Sequence, residues 1–249
     1  MGRTIFITGT NRGIGNSILR EFCKEQGVTI LAHTRKKTPE FEQETKELQA
    51  EFDCRILPVF FDLCDEDGIR NSVKTVLQEC RQIDVLVNNA GIMRQGSSFM
   101  MTPLSEIKRT VQINFFAQVL LTQMVVKAMI RNKGGSIINM TSMAALDGTA
   151  GQFEYTCSKS AMIGMTLRLS HELAPFGIRC NAIAPGLIRT DMMDYLTPPL
   201  EKTLSERVFI GRMGMPEEIA SVAVFLASSA ASYINGQVLC VDGGSGRYN

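Results

Sequence analysis

The run Thr4-Ile5-Phe6-Ile7-Thr8-Gly9-Thr10-Asn11-Arg12-Gly13-Ile14-Gly15 decides the fold. Its first five residues are apolar or β-branched, the composition of a short buried strand. Three glycines follow, and Ile14, Ile18, Leu19, Phe22 and Cys23 then recur at helical spacing. Strand, glycine turn and helix in that order leave bare backbone at a helix N-terminus, where free N–H groups and the helix dipole attract an anion. Glycines there let the chain turn tightly and let a pyrophosphate come close. No Gly-Lys-[Ser/Thr] follows, which excludes a Walker A loop. The expected ligand is a dinucleotide, bound by a βαβ unit that closes near residue 33.

Outward from this run the same alternation continues. Strand patterns cover 4–8, 28–33, 55–61, 84–88, 136–140, 179–183 and 237–241; helix patterns cover 14–26, 40–52, 65–81, 103–131, 153–176 and 216–226. Most strands are near-continuously apolar, as strands covered by helices on both faces must be. Thr102-Pro103 predicts a capping hydroxyl ahead of a first-turn proline, and Gly177 predicts a helix stop after Phe176. No repeat or Gly/Ser/Pro-rich linker divides the chain. The expectation is one α/β domain over 1–249, a Rossmann-type doubly wound parallel sheet of about seven strands with helices on both faces.

Composition narrows the function classes. The 26 basic and 25 acidic residues cancel, which argues against nucleic acid or an anionic membrane as partner. Seven scattered cysteines contain no Cys-x-x-Cys pair, so neither metal ligation nor a disulfide framework is expected. The most apolar long stretch, 111–130, carries Gln112, Asn114, Gln118, Gln123 and Lys127, which a bilayer does not tolerate cheaply. With no signal-peptide core, the cytoplasm is the expected location.

The glycine spacing is Gly-x-x-x-Gly-x-Gly, preceded by Thr8. Here the chain resembles the short-chain dehydrogenase/reductase family, and the resemblance runs its full length. Asn88-Asn89-Ala90-Gly91, Ser142, Tyr155-x-x-x-Lys159 and Pro185-Gly186 match the family's motifs in order and spacing. The resemblance implies Asn114, Ser142, Tyr155 and Lys159 as the catalytic set, with Asn114 holding a water that relays protons through Lys159. For the cofactor it implies Gly9, Asn11, Arg12, Gly13, Ile14 and Gly15 in the loop, Thr34 and Arg35 after the second strand, and Asp62 and Leu63 after the third. It adds Asn88, Ala90 and Gly91 on the adenosine side, Tyr155 and Lys159 themselves, and Pro185, Gly186, Ile188 and Thr190 on the nicotinamide side.

The second strand is followed by Thr34-Arg35-Lys36-Lys37, without the acid that usually accepts from bare ribose hydroxyls. Arg12 adds a cation within the loop. Both point to a 2′-phosphate and hence to NADP(H). Tyr155 and Lys159, four apart on a helix, share one face. A cation about 5 Å from the phenol, at an effective dielectric of ~20, favours phenolate by about 3 kcal/mol, so a lowered tyrosine pKa is expected. Taken singly, each of these residues also has an ordinary packing or turn role.

Within the family, Arg189-Thr190-Asp191-Met192, Gly211-Arg212-Met213-Gly214 and Val241-Asp242-Gly243-Gly244 resemble the 3-oxoacyl-[acyl-carrier-protein] reductases. The implied reaction is NADPH-dependent reduction of a 3-oxoacyl thioester. Reduction of a sugar, steroid or cyclic ketone, and a non-catalytic NADP(H)-sensing role, are the alternatives. The family's habit implies a homotetramer built through the fourth and fifth helices and the last strand. If an acidic acyl carrier protein docks, Lys133 and Arg131 are expected beside the active-site mouth; a second expected cation is replaced by Phe176, leaving Arg168 and Lys127 as substitutes. Residues 187–211 form a long connection expected to cover the substrate.

Overall fold

The computed structural model describes residues 2–94, 99–148, 151–193 and 197–245. In chain order the strands are β1 (Thr4–Thr8), β2 (Val28–Thr34), β3 (Cys54–Phe60), β4 (Val85–Asn88), β5 (Gly135–Met140), β6 (Ile178–Pro185) and β7 (Val238–Val241). The helices are α1 (Gly13–Cys23), α2 (Pro39–Glu51), α3 (Glu66–Glu79), α4 (Leu104–Val111), α5 (Ala117–Arg131), α6 (Ala144–Asp147), α7 (Phe153–Leu173), α8 (Pro198–Ser205) and α9 (Pro216–Ala227).

All seven strands are parallel and lie in one sheet, ordered β3-β2-β1-β4-β5-β6-β7. Alternation along β1 explains the layers. Ile5 and Ile7 point to a core shared with Ile18, Leu19 and Phe22 of α1 and Ile219, Ala223 and Leu226 of α9. Phe6 points the other way, into a core with Ile69 and Val73 of α3 and Leu121 and Val125 of α5. The order reverses between β1 and β4, and the crevice outside the carboxyl ends of the strands at that reversal is where an open α/β sheet binds ligands.

Three local expectations need correction. The helix at 103–131 is two helices joined by a π-helical turn over Gln112–Phe116, where the Ala117 N–H reaches back to the Gln112 carbonyl. The N-cap position falls on Pro103, with extended ψ of 140°, rather than on Thr102, so the helix begins at Leu104 and the proline precedes its first turn. The 153–176 helix ends at Leu173, and Ala174–Phe176 tightens into a 3-10 turn closed by Gly177 at φ 72°. The stop after Phe176 is where expected, because glycine tolerates the left-handed cap.

The span Leu104–Arg131 is apolar and long enough by composition to cross a membrane. In the fold its buried face (Ala117, Leu121, Val125, Ala128) packs on the sheet instead. The connection 187–211 holds a 3-10 turn at Asp191–Met193 and α8.

Candidate active site

The glycine turn is held from below by Thr8 and Asn89. The Thr8 hydroxyl accepts the N–H groups of Asn89 (3.0 Å) and Ala90 (2.9 Å). Asn89 Nδ2 donates to the carbonyls of Thr8 (2.9 Å) and Gly9 (3.2 Å). Gly9 and Gly13 have φ of 73° and 55°, the left-handed region that favours glycine. A Cβ on Gly15 would collide with the Gly9 carbonyl and the Asn89 amide. No side chain caps α1 and no acid stands in its first turn. The helix thus presents an uncapped positive end to a cradle only glycine can form, which fits a pyrophosphate. Asn11 and Arg12 are exposed on the rim, while Ile14 is half-buried against the core.

Around this cradle stand the other expected cofactor residues. Thr34 is buried and donates to the Lys36 carbonyl (2.9 Å), which leaves Arg35 exposed at the strand end. The Asp62 carboxylate accepts the Cys64 N–H (2.8 Å), and Leu63 is buried beneath it. Arg12 faces Asp191 at 3.7 Å, and the Thr190 methyl lies 3.5 Å from where a Gly13 Cβ would be. The 185–191 turn therefore folds over the glycine loop. Pro185 ends β6, Gly186 packs against Asp242 so closely that a Cβ would stand 2.7 Å from its Cα, and Ile188 is buried and bridges Gly214.

Asn88 is a correction. Its side chain is 1% exposed and donates inward to Thr122 Oγ1 (2.9 Å) and Asn139 Oδ1 (2.8 Å), so it does not line the cleft. Strand alternation turns it into the core and gives the loop-holding task to Asn89, which the sequence reading passed over. The repeated Asn at successive positions of a strand end was the available signal, since one of the two had to face each way.

The catalytic set converges at the carboxyl ends of β5 and β6. Ser142 lies just past β5, its turn anchored by the Met143 N–H on the Pro185 carbonyl (3.0 Å), and its Oγ accepts the Ala144 N–H (3.2 Å). Tyr155 and Ser142 are joined by a side-chain hydrogen bond. Lys159, 4% exposed, donates to the Met140 carbonyl (2.8 Å), and its ammonium lies 5.8 Å from the centre of the Tyr155 ring. Gly91 fits between Asn114 and Lys159: a Cβ there would stand 3.2 Å from Asn114 Oδ1 and 3.3 Å from Lys159 Nζ.

Asn114 sits in the π-helical turn, the kind of irregularity that concentrates at functional sites. Its Oδ1 accepts the Ile92 N–H (2.8 Å), and its Nδ2 donates to the Ile92 carbonyl (2.9 Å) and Ser158 Oγ (3.0 Å). Its side chain thus serves to tie the 91–92 segment to α7.

The electrostatics differ from the expectation of a lowered tyrosine pKa. Burial pushes the Tyr155 hydroxyl above its usual value, with the Ser142 bond opposing. Burial also lowers the Lys159 ammonium to about 8. Desolvation disfavours both charged forms, and the lysine spends its donor on Met140.

The expected docking cations are elsewhere. Lys133 precedes β5 and Phe176 precedes β6, so both lie at the amino ends of strands whose carboxyl ends carry Ser142 and the 185–190 turn. They adjoin each other, with the Lys133 carbonyl 3.0 Å from a Gly177 Cβ position. A six-residue strand at ~3.3 Å per residue separates them from the site by about 20 Å. In one protomer they are not beside the mouth, because a parallel strand carries the chain from one end of the sheet to the other.

The family profile described as Enoyl-(Acyl carrier protein) reductase matches residues 9–246. A 3-oxoacyl-[acyl-carrier-protein] reductase FabG of Thermotoga maritima is 38% identical over 98% of this chain and 97% of its own. A 3alpha-hydroxysteroid dehydrogenase of Mediterraneibacter gnavus is 35% identical over 97% of this chain and 96% of its own. Among solved structures, a putative NAD(P) dependent gluconate 5-dehydrogenase from Beutenbergia cavernae with bound NADP superposes with a TM-score of 0.91 at 33% identity, covering 98% of this chain and 96% of that one. A parallel sheet with an uncapped glycine cradle and a Ser-Tyr-Lys set beside it defines a dinucleotide-dependent oxidoreductase. The chain belongs to the short-chain dehydrogenase/reductase family.

Proposed function

We propose that this protein reduces a carbonyl to a hydroxyl at the expense of NADPH, acting on a 3-oxoacyl thioester to form the 3-hydroxyacyl product. The observation that carries this reading is the Ser142–Tyr155–Lys159 grouping beside the glycine cradle at the carboxyl ends of the strands. When bound, the reduced nicotinamide supplies a hydride. Charge then builds on the substrate oxygen, which needs donors already in place. The Tyr155 hydroxyl, held by Ser142, is the proton donor. Its raised pKa keeps it protonated near neutrality, the form reduction requires. Lys159, lowered to about 8, is still largely an ammonium at pH 7 and favours the phenolate that proton donation leaves behind.

NADPH rather than NADH is supported by Arg12 and Arg35 at the rim and by the absence of an acid after β2. Phe99 packs edge-on against Phe153 at 4.7 Å, two residues before Tyr155. That apolar neighbourhood favours an acyl chain over a polyhydroxylated sugar acid. A steroid or cyclic ketone is the second reading, favoured by the same aromatic pair.

Exposed apolar residues on α4, the π-helical turn and α7 (Leu104, Phe116, Phe153, Leu167) and on α9 and beyond (Phe225, Tyr233) support a homotetramer through these faces. Action in the cytoplasm goes with this reading. Because Phe176 is exposed and Lys133 stands at the far end of the sheet, the reading also includes little gain from an acyl carrier protein over a small thioester.

The test is NADPH oxidation by the purified protein across 3-oxoacyl-coenzyme A thioesters, sugars, steroids and cyclic ketones. Turnover of the thioesters with the highest kcat/KM supports the reading. Turnover confined to cyclic ketones or steroids moves the function to the second reading, and failure with every substrate sinks both.

A further inference from the structure

His33 ends in a place where a histidine has unusual reach. Its backbone carbonyl accepts the N–H groups of Gly9 and Thr10, both at 3.0 Å, and the Thr10 hydroxyl at 3.1 Å. Its ring is 2% exposed and stacked on Phe61 with centroids 3.8 Å apart. Nε2 lies 3.0 Å from the Phe61 carbonyl, which only accepts, so Nε2 carries the proton. In the neutral ring Nδ1 is then an acceptor, and the Gly9 N–H, directed mainly to the His33 carbonyl at 3.0 Å, is shared with it at 3.3 Å. One ring thus bonds to the first glycine of the phosphate cradle and to the residue just before Asp62. The next residues along the same strand end are Thr34 and Arg35.

We infer that His33 is a positioning residue for the dinucleotide: its neutral ring spans the phosphate loop and the end of β3, setting the separation between the pyrophosphate cradle and the adenosine-side residues Asp62 and Leu63. The inference rests on the proposed dinucleotide binding and extends it to a residue that touches no cofactor atom itself. Burial lowers the imidazole to about 4, with the Phe61 carbonyl opposing, so the neutral tautomer this bridge needs is the form present at neutral pH. A proton on Nδ1 would set two N–H donors face to face at Gly9.

This role differs from ordinary core packing. Phenylalanine would fill the same volume and keep the stack on Phe61, but it would make neither bond. The Gly9 and Thr10 N–H groups would keep their bonds to the residue-33 carbonyl, so the loop would stay tied to β2 but lose its side-chain link to the end of β3, and the cost would fall on binding of the two-ended ligand. Chemistry at Tyr155, on the other side of the cradle, would be spared once the cofactor is bound.

The experiment measures NADPH and NADH dissociation constants by calorimetry for the wild type, His33→Phe and His33→Gln, with circular dichroism and melting temperature as the check on folding. Steady-state kcat at saturating cofactor is recorded in parallel. His33→Phe should weaken both cofactors by a similar factor of tenfold or more with kcat within about twofold of wild type. Glutamine, which keeps a donor for the Phe61 carbonyl, should recover part of the loss. In the wild type, 15N NMR should show the Nε2–H tautomer at pH 7. The inference is overturned by an unchanged dissociation constant in folded His33→Phe, by loss confined to NADPH, or by an Nδ1–H tautomer. If phenylalanine does not fold, glutamine and the tautomer decide. A wild type that binds neither nucleotide removes the dinucleotide reading itself, an outcome separate from a wild type that binds and a variant that binds equally well.

Discussion

The Lys159 ammonium stands 5.8 Å from the centre of the Tyr155 ring, yet its hydrogen bond goes to the Met140 carbonyl at 2.8 Å. The lysine is therefore anchored to the end of β5 rather than bonded to the tyrosine hydroxyl. Ser142 is the group in direct contact with the tyrosine hydroxyl. This division of labour assigns separable roles to the two partners.

Tyr155→Phe removes the proton donor and keeps the ring. Turnover should fall by a thousandfold or more, while NADPH affinity, measured by calorimetry, should stay within about threefold of wild type. A variant retaining more than about a tenth of kcat, a loss below ~1.4 kcal/mol, would show that Tyr155 is not the acid.

Lys159→Met should abolish most activity and raise stability. A lysine whose folded pKa is about 8 against 10.5 unfolded binds fewer protons in the native state between those values. Stability of the wild type accordingly rises as pH climbs from about 8 towards 10.5, and below pH 8 the full cost of burying the charge is present. That cost is about 3 kcal/mol, from ~1.4 kcal/mol per pKa unit. Urea unfolding should find the methionine variant more stable at pH 7, with the difference shrinking by pH 10. A variant less stable than wild type at pH 7 would refute this reading of the site.

Arg35→Asp should turn cofactor preference from NADPH towards NADH. A charge-assisted bond to the 2′-phosphate contributes about 1.5–3 kcal/mol, so its loss should cost NADPH tenfold or more in kcat/KM. The new carboxylate supplies the ribose acceptor the strand end lacks. Equal kcat/KM for the two cofactors in the wild type would contradict the assignment.

Carrier-linked and coenzyme-A-linked 3-oxoacyl chains of equal length should give kcat/KM values within about threefold of each other, at low salt and at high. Electrostatic docking acts mainly on the association rate and fades as screening shortens towards a few ångströms near 1 M salt. A carrier advantage of a hundredfold that collapses with salt would overturn the expectation drawn from Phe176 and from the placement of Lys133.

Much of this protein was legible from local sequence. The first strand, the Gly9–Gly15 turn and the helix after it are dictated by composition, glycine spacing and apolar periodicity, all properties of neighbours along the chain. The four-residue interval between Tyr155 and Lys159 sets their shared face by helical geometry alone. Even the limits of the strands fell within a residue or two, the widest difference being at β6, which runs to Pro185, two residues past the expected end at 183.

Tertiary structure decided everything that depends on which way a residue faces and what it meets there. It turned Asn88 into the core and set Asn89 under the glycine loop. It widened the helix at Asn114 so that one amide could pair with both polar groups of Ile92. It joined His33 to Gly9 and Phe61, positions brought together only when β1, β2 and β3 align in register. It also reversed the expected shift at Tyr155, because the cost of burying a charge depends on the surrounding volume, which no spacing along the chain records. Sequence determined which groups this protein has and their local geometry; the packed fold decided their partners, their solvation and the end of the sheet at which each one works.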